Sequence, residues 1–158
     1  MKKYTKQEIE GSRDFFKSRG YPEVTVELGN RKFSYFVLPQ ALEPKLPDFV
    51  FRCTGKPEDG CIFGVSDSVR EDFRPYAVAH EIIEFTEVGI DSRNRCLTAL
   101  EQELSLVPDD LRDEYIGMRF RFFRNLVGYA AGKPDSFTPD DIGEFRQSLG
   151  RLEELLNH

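Results

Sequence analysis

Four side chains in this sequence have the types and spacing to do chemistry together: His80, Glu81, Glu84 and Glu103. His80 is the only histidine away from the C-terminus. It lies in the run Pro75-Tyr-Ala-Val-Ala-His80-Glu81-Ile-Ile-Glu84-Phe-Thr-Glu87-Val-Gly89. Pro75 suits a first helical turn, and Gly89 suits the position just past the last one. At about 100° per residue, His80, Glu84 and Glu87 share one narrow stripe, with Glu81 to one side. Tyr76, Val78, Ala79, Ile82, Ile83 and Phe85 occupy most of the remaining circumference. A helix this apolar is expected to be buried, so its polar stripe faces something specific. The plainer alternative is a stripe that faces water. A carboxylate four residues from a histidine lies on the same helix face, so Glu84 can offer an oxygen ligand beside the imidazole.

The next helix adds a further acid. Arg95 to Val107 is predicted helical, with Cys96, Ala99, Leu100, Leu104 and Val107 as its apolar face. Glu103 falls inside that arc, whereas Glu101 and Gln102 fall outside it. An ionised carboxylate directed into a core is costly unless it is paired or coordinates a metal. If His80, Glu81, Glu84 and Glu103 converge, three carboxylates share one pocket and raise each other's pKa unless a cation intervenes. Three outcomes satisfy them: a bound divalent metal, a protonated carboxyl pair, or an arginine counter-ion from among Arg93, Arg95, Arg119 and Arg121. One imidazole with two carboxylates is a hard, anionic donor set suited to zinc, manganese, iron or magnesium. The arginine outcome needs no metal.

Eighteen residues separate Glu84 from Glu103. His80-Glu81-x-x-Glu84-x18-Glu103 resembles the gluzincin branch of zinc metallopeptidases, which carry H-E-x-x-H and, eighteen residues later, a helical glutamate. In the zinc-protease motif two histidines four apart bind the metal and the intervening glutamate is the general base. The resemblance spans residues 61 to 107 and includes the succession of strand, loop and metal-binding helix. It implies a minimal zincin-like fold and metal-dependent hydrolysis of peptide bonds. It also implies His80 and Glu103 as metal ligands and Glu81 as general base. Glu84 stands where the family has its second histidine and takes that ligand position here. With no further internal histidine, a transition-state donor would be a tyrosine or an arginine, Tyr115 and Tyr129 being candidates by residue type. The lost histidine equally fits a non-catalytic module that keeps the scaffold and binds a peptide or protein. In that module Cys61 to Val65, read as an edge strand, would add an extended peptide to the sheet.

The elements that must position these residues are legible in order. Thr5 with Glu8 has capping-box spacing and opens a helix from Thr5 to Arg19. Val24 to Leu28 and Lys32 to Leu38 are β-rich runs joined by Gly29-Asn30, a two-residue turn signal. Phe49 to Cys53 and Cys61 to Val65 follow a proline-rich connector and read as a second hairpin. After the central helix come Arg95 to Val107, Asp109 to Ala131, and a last helix opened by Thr138-Pro139-Asp140-Asp141. A helix, a small mixed or antiparallel sheet of about four strands, and then four helices is an α+β arrangement.

Composition bounds the rest. A chain of 158 residues is expected to form one domain spanning 1–158. A net charge of −6 argues against a nucleic-acid or anionic-membrane surface. No apolar run approaches membrane-spanning length, and the opening residues do not form a signal peptide, so a cytoplasmic location is expected. Cys53, Cys61 and Cys96 read as reduced core thiols, with Cys53 and Cys61 facing each other across the hairpin. Arg119-Phe-Arg-Phe-Phe-Arg124 reads as an amphipathic helix with Tyr115, Met118 and Phe122 inward and its arginines elsewhere.

Overall fold

In the computed structural model, which describes residues 3–89 and 91–157, Thr5 accepts a hydrogen bond from the backbone N–H of Glu8 at 3.2 Å. That cap opens α1 (Lys6–Ser18). Gly20, at φ +71°, takes the left-handed backbone just past the helix. Strands β1 (Glu23–Leu28) and β2 (Arg31–Leu38) then pair antiparallel, closed by Leu28 opposite Arg31 across Gly29-Asn30. From β2 the chain skips one place, lays down β3 (Val50–Thr54) at the sheet edge, and returns as β4 (Cys61–Ser66) to fill the gap. The order is β1-β2-β4-β3, with β4 antiparallel to β3 and parallel to β2.

Two expectations about this hairpin are corrected by the pairing. Cys61 to Val65 lies in an interior strand, paired along its length with β3 and, from Gly64 on, with β2, so it is not the edge strand expected. The outer strands are β1 and β3, and the Thr54 carbonyl of β3 accepts from the Tyr4 N–H at 3.0 Å. The register sets Cys53 opposite Ile62 and Cys61 opposite Thr54. Successive residues point to opposite faces of a strand, so the two thiols do not face each other.

The connector between β2 and β3 is held by one side chain. Gln40 donates from Nε2 to the carbonyls of Glu43 (2.8 Å) and Leu46 (2.9 Å), while its Oε1 accepts from the Asp48 N–H at 3.0 Å. On one sheet face Phe16 of α1 packs on Phe36 and Phe51, each with ring centroids 5.3 Å away. Arg52, the neighbour of Phe51, points to the other face, where the central helix lies.

That central helix is α2 (Arg74–Ile82), continued as a π-helical segment over Ile83–Val88 and ended by Gly89 at φ +92°. The expected uniform α-helix from Pro75 to Gly89 is therefore half right. In the second half the bonds run from i to i+5, as in Gly89 N–H to Glu84 C=O at 2.9 Å. The wider turn takes Glu87 off the His80 stripe and out to the surface, where both its oxygens bind Arg31 at 2.7 and 2.8 Å. Three helices follow: α3 (Arg95–Leu106), α4 (Asp109–Ala131) and α5 (Pro139–Leu156). Thr138 and Asp141 form a reciprocal capping box at the start of α5. The fold is thus α+β: one helix, a four-stranded mixed sheet, then four helical segments. Among the described residues, no helix is long and apolar enough to cross a membrane.

Candidate functional site

The loop from β4 into α2 is tied down by Arg74, which donates to the Val69 carbonyl at 2.8 Å and the Asp67 carbonyl at 3.1 Å. Ala77, Val78 and Ala79 then carry the helix into the core, small enough for close packing, and deliver His80 to the interior. The ring stands edge-on to Phe123, centroids 5.9 Å apart. Nδ1 lies 2.7 Å from Glu103 Oε1, and Nε2 lies 3.0 Å from Glu84 Oε2. Cys96 Sγ is 3.7 Å from Nε2 and accepts from Ser148 Oγ at 3.1 Å.

Each of those carboxylates has an arginine. Glu84 Oε1 meets Arg95 Nε at 3.1 Å, and Arg95 reaches on to Asp141 at 2.8 Å and Glu144 at 3.8 Å. Glu103 accepts from the Tyr115 hydroxyl and from Arg119 Nη2 at 3.2 Å. Arg119 Nε also stands 2.8 Å from Glu103 Oε2, but off the line of a hydrogen bond, so that contact is one of charge. Arg119 Nη1 makes no hydrogen bond among the described residues. Its guanidinium carbon sits 5.0 Å from the ring centroids of both Phe122 and Phe123, which offsets part of that cost. With His80 protonated, Arg95, Arg119 and the imidazolium face the carboxylates of Glu84, Glu103, Asp141 and Glu144.

The titrations follow from these contacts. Burial pushes the His80 pKa down, but its bonds to Cys96, Glu103 and Glu84 carry it well above the ordinary 6.5. Burial pushes Glu103 up, and the Arg119 and His80 charges more than reverse it, holding the carboxyl below its usual range. Glu81 goes the other way: burial and the Glu84 charge raise it, against weaker lowering by His80 and Arg52.

Glu81 is also placed differently. Its side chain keeps 18% of its surface exposed, and its nearest cation is Arg52 Nε at 3.9 Å, stacked over the Phe85 ring. It opens, with His80, Glu84 and Cys96, onto a cavity of about 590 Å³. The walls are mostly apolar, including Phe49, Phe51, Phe122, Phe123, Leu126 and Phe145. Size and lining are those of a small-molecule or side-chain pocket. Glu103, Tyr115 and Arg119 do not line it.

Comparison with protein-family models, curated protein sequences and solved structures finds no significant match. The site's chemistry therefore rests on its own geometry.

The structure brings His80, Glu84 and Glu103 together, with Glu81 beside them. It sets Glu103 on Nδ1, the opposite ring nitrogen from Glu84. The donors that share one spot are His80 Nε2, Glu84 and Cys96, whose ligand atoms lie within 4.8 Å of one another. Of the four arginines considered as counter-ions, Arg95 and Arg119 serve, while Arg93 and Arg121 are exposed. Tyr115 is committed to Glu103; Tyr129 donates to Glu43 at 2.8 Å on the cavity wall. Sequence reasoning missed Cys96 as a participant and, although it named Arg119 as a possible counter-ion, misread where that side chain points. Cys96 precedes Glu103 by seven residues, two helical turns on the same apolar arc, which was the available signal. Arg119, expected away from the apolar face of its helix, is only 1% exposed. Its burial is dictated by Glu103, whose charge needs it. His158 and Ile90 lie outside the described residues.

Proposed function

We propose that this chain is a zincin-like, metal-dependent hydrolase acting on peptide bonds beside a large apolar side chain, with Glu81 as general base. The observation that carries this reading is the position of Glu81. It is the one acid of the cluster not held at hydrogen-bond distance by an arginine, and it faces an apolar cavity. A carboxylate with a raised pKa in a cleft is the expected state of a group that takes a proton from water and passes it to a leaving amine. The apolar walls seat the substrate side chain and keep bulk water from the reacting bond. Glu103, held by Arg119 and Tyr115, fixes the His80 ring so that Nε2 is turned to the cavity. An imidazole nitrogen and a carboxylate are donors that fit zinc, manganese or iron, and such an ion supplies Lewis-acid polarisation of the scissile carbonyl.

The test is hydrolysis of peptides carrying Phe, Leu or Tyr, by protein supplemented in turn with zinc, manganese, iron and magnesium. Glu81→Gln is expected to lower kcat about 10²- to 10⁴-fold, the usual range for a lost general base, with KM little changed. Absence of Glu81-dependent turnover under every metal sinks the reading.

A second reading is favoured by the arginines. Because Arg95 and Arg119 already neutralise Glu84 and Glu103, the cluster is a finished structural network without a cation, and the chain is a non-catalytic module that binds a peptide or protein. Peptide binding that survives Glu81→Gln, with no turnover in the wild type, is its signature.

A further inference from the structure

We propose that the cation site of this chain is built from His80 Nε2, Glu84 Oε2 and Cys96 Sγ, a nitrogen–oxygen–sulfur set for zinc, with Glu103 positioning the imidazole. The inference rests on the metal of the hydrolase reading but not on the hydrolysis. The distances carry it. Bonds of about 2.0–2.1 Å to nitrogen and oxygen and about 2.3 Å to sulfur give tetrahedral edges of about 3.3 Å for N···O and about 3.6 Å for N···S. The observed separations are 3.0 Å for Nε2···Oε2 and 3.7 Å for Nε2···Sγ, and all three donor atoms lie within 4.8 Å of one another, so an ion would draw Glu84 and Cys96 closer together. Glu103 does not complete this set, because its oxygen is 2.7 Å from Nδ1, on the other side of the ring.

The surroundings supply an independent argument. A metal-binding histidine characteristically donates its second N–H to a carboxylate, and the other ligands are held by outer partners in turn. Here Nδ1 faces Glu103, Glu84 is held through its other oxygen by Arg95 at 3.1 Å, and Cys96 accepts from Ser148 at 3.1 Å. Arg95 uses Oε1 and leaves Oε2 for the ion. All three residues border the cavity, so a fourth coordination position would be reached from it, as in catalytic rather than structural zinc sites. Thiolate selects zinc over magnesium and calcium. Binding forms one bond each to nitrogen, oxygen and sulfur and sends the Nε2 proton and the Cys96 thiol proton to solvent.

The experiment loads the full chain with zinc and, separately, with cobalt(II), whose thiolate complexes give a near-ultraviolet charge-transfer band. One metal per chain is expected, with the band present in the wild type and in the Cys53→Ser/Cys61→Ser double variant. In that variant Cys96 is the only sulfur donor of the cysteine type, so the band assigns the ligand even if Cys96→Ser fails to fold. Glu103→Gln is expected to keep the band while weakening metal affinity about 10- to 100-fold, the usual loss for an outer partner. Cobalt bound without the band in the double variant, or no stoichiometric zinc or cobalt at all, overturns the proposal. A band without peptide hydrolysis upholds the site and rejects the hydrolase reading instead.

Discussion

The two nitrogens of His80 open onto two different kinds of protein. On the Nδ1 side Glu103, Tyr115 and Arg119 are sealed, each at most 1% exposed, and none lines the cavity. On the Nε2 side Glu84, Cys96 and Glu81 line a space large enough for a ligand. Both sides solve the problem of a buried carboxylate with an arginine, but the solutions differ in redundancy. Arg119 pairs with a single acid, Glu103, whereas Arg95 is shared by Glu84, Asp141 and Glu144. A sealed pair of one acid and one base is a fixture. A shared arginine leaves one acid free to change partner without stranding a charge, which is what a working site requires.

The largest expected effect tests that difference directly. Glu103→Ala leaves Arg119 and the Nδ1 side of His80 without a counter-charge in the interior, and breaking a buried pair in this way costs about 3–5 kcal/mol. Glu84→Ala leaves Arg95 with two acids and should cost less. Urea unfolding of the two variants measures both. Equal losses would mean that the two sides are not distinct, and Arg119→Met combined with Glu103→Leu should recover most of the stability lost in Glu103→Ala, since a matched apolar pair needs no compensation.

A second test uses pH in metal-free buffer. The His80 pKa is raised well above 6.5 in the folded protein, so its contribution to stability is complete below 6.5 and is lost as pH rises through the folded value. Within that window the loss has a slope of at most about 1.4 kcal/mol per pH unit. Glu103 is depressed, so its contribution is complete above the unfolded carboxyl value of 4.5 and is lost as pH falls through the folded one. Stability is therefore expected to be highest between the two limbs. Glu103→Gln should lower the His80 value and narrow the alkaline window. Stability that stays flat on the alkaline side would mean a neutral imidazole without added metal, and Nε2 already free of its proton.

Much of this arrangement was written in local signals. The Thr5 and Thr138 caps, the Gly29-Asn30 turn and the Gly89 stop each need only a few residues, and each places an element end within a residue or two of where it lies. Glu103 was legible for another reason: an acid inside an apolar arc must have a partner, whichever it is. What could not be read depends on tertiary choice. That β4 enters between β2 and β3 is a long-range pairing across the connector that Gln40 braces, and no turn signal specifies it, although β4 is the more continuously buried of the two later strands. The identity of the partner was open among four arginines, and Arg119 was read outward because its aromatic neighbours supply an apolar face without it. Cys96 looked like any small core residue until the His80 ring came within reach of its sulfur.

The π segment supplies the smallest and sharpest prediction. A continuous α-helix would hold Glu87 on the stripe with His80 and Glu84, and its charge would belong to the site. In the wider turn it sits at the surface with Arg31, its side chain 40% exposed. Exposed ion pairs of this kind contribute about 0.2–1 kcal/mol, even with both oxygens engaged. Glu87→Gln should therefore cost no more than that, lessen further with added salt, and leave cobalt binding and its spectrum unchanged. A Glu87→Gln protein with weakened metal affinity would return this residue to the inner stripe and require the helix to run regularly past Ile83.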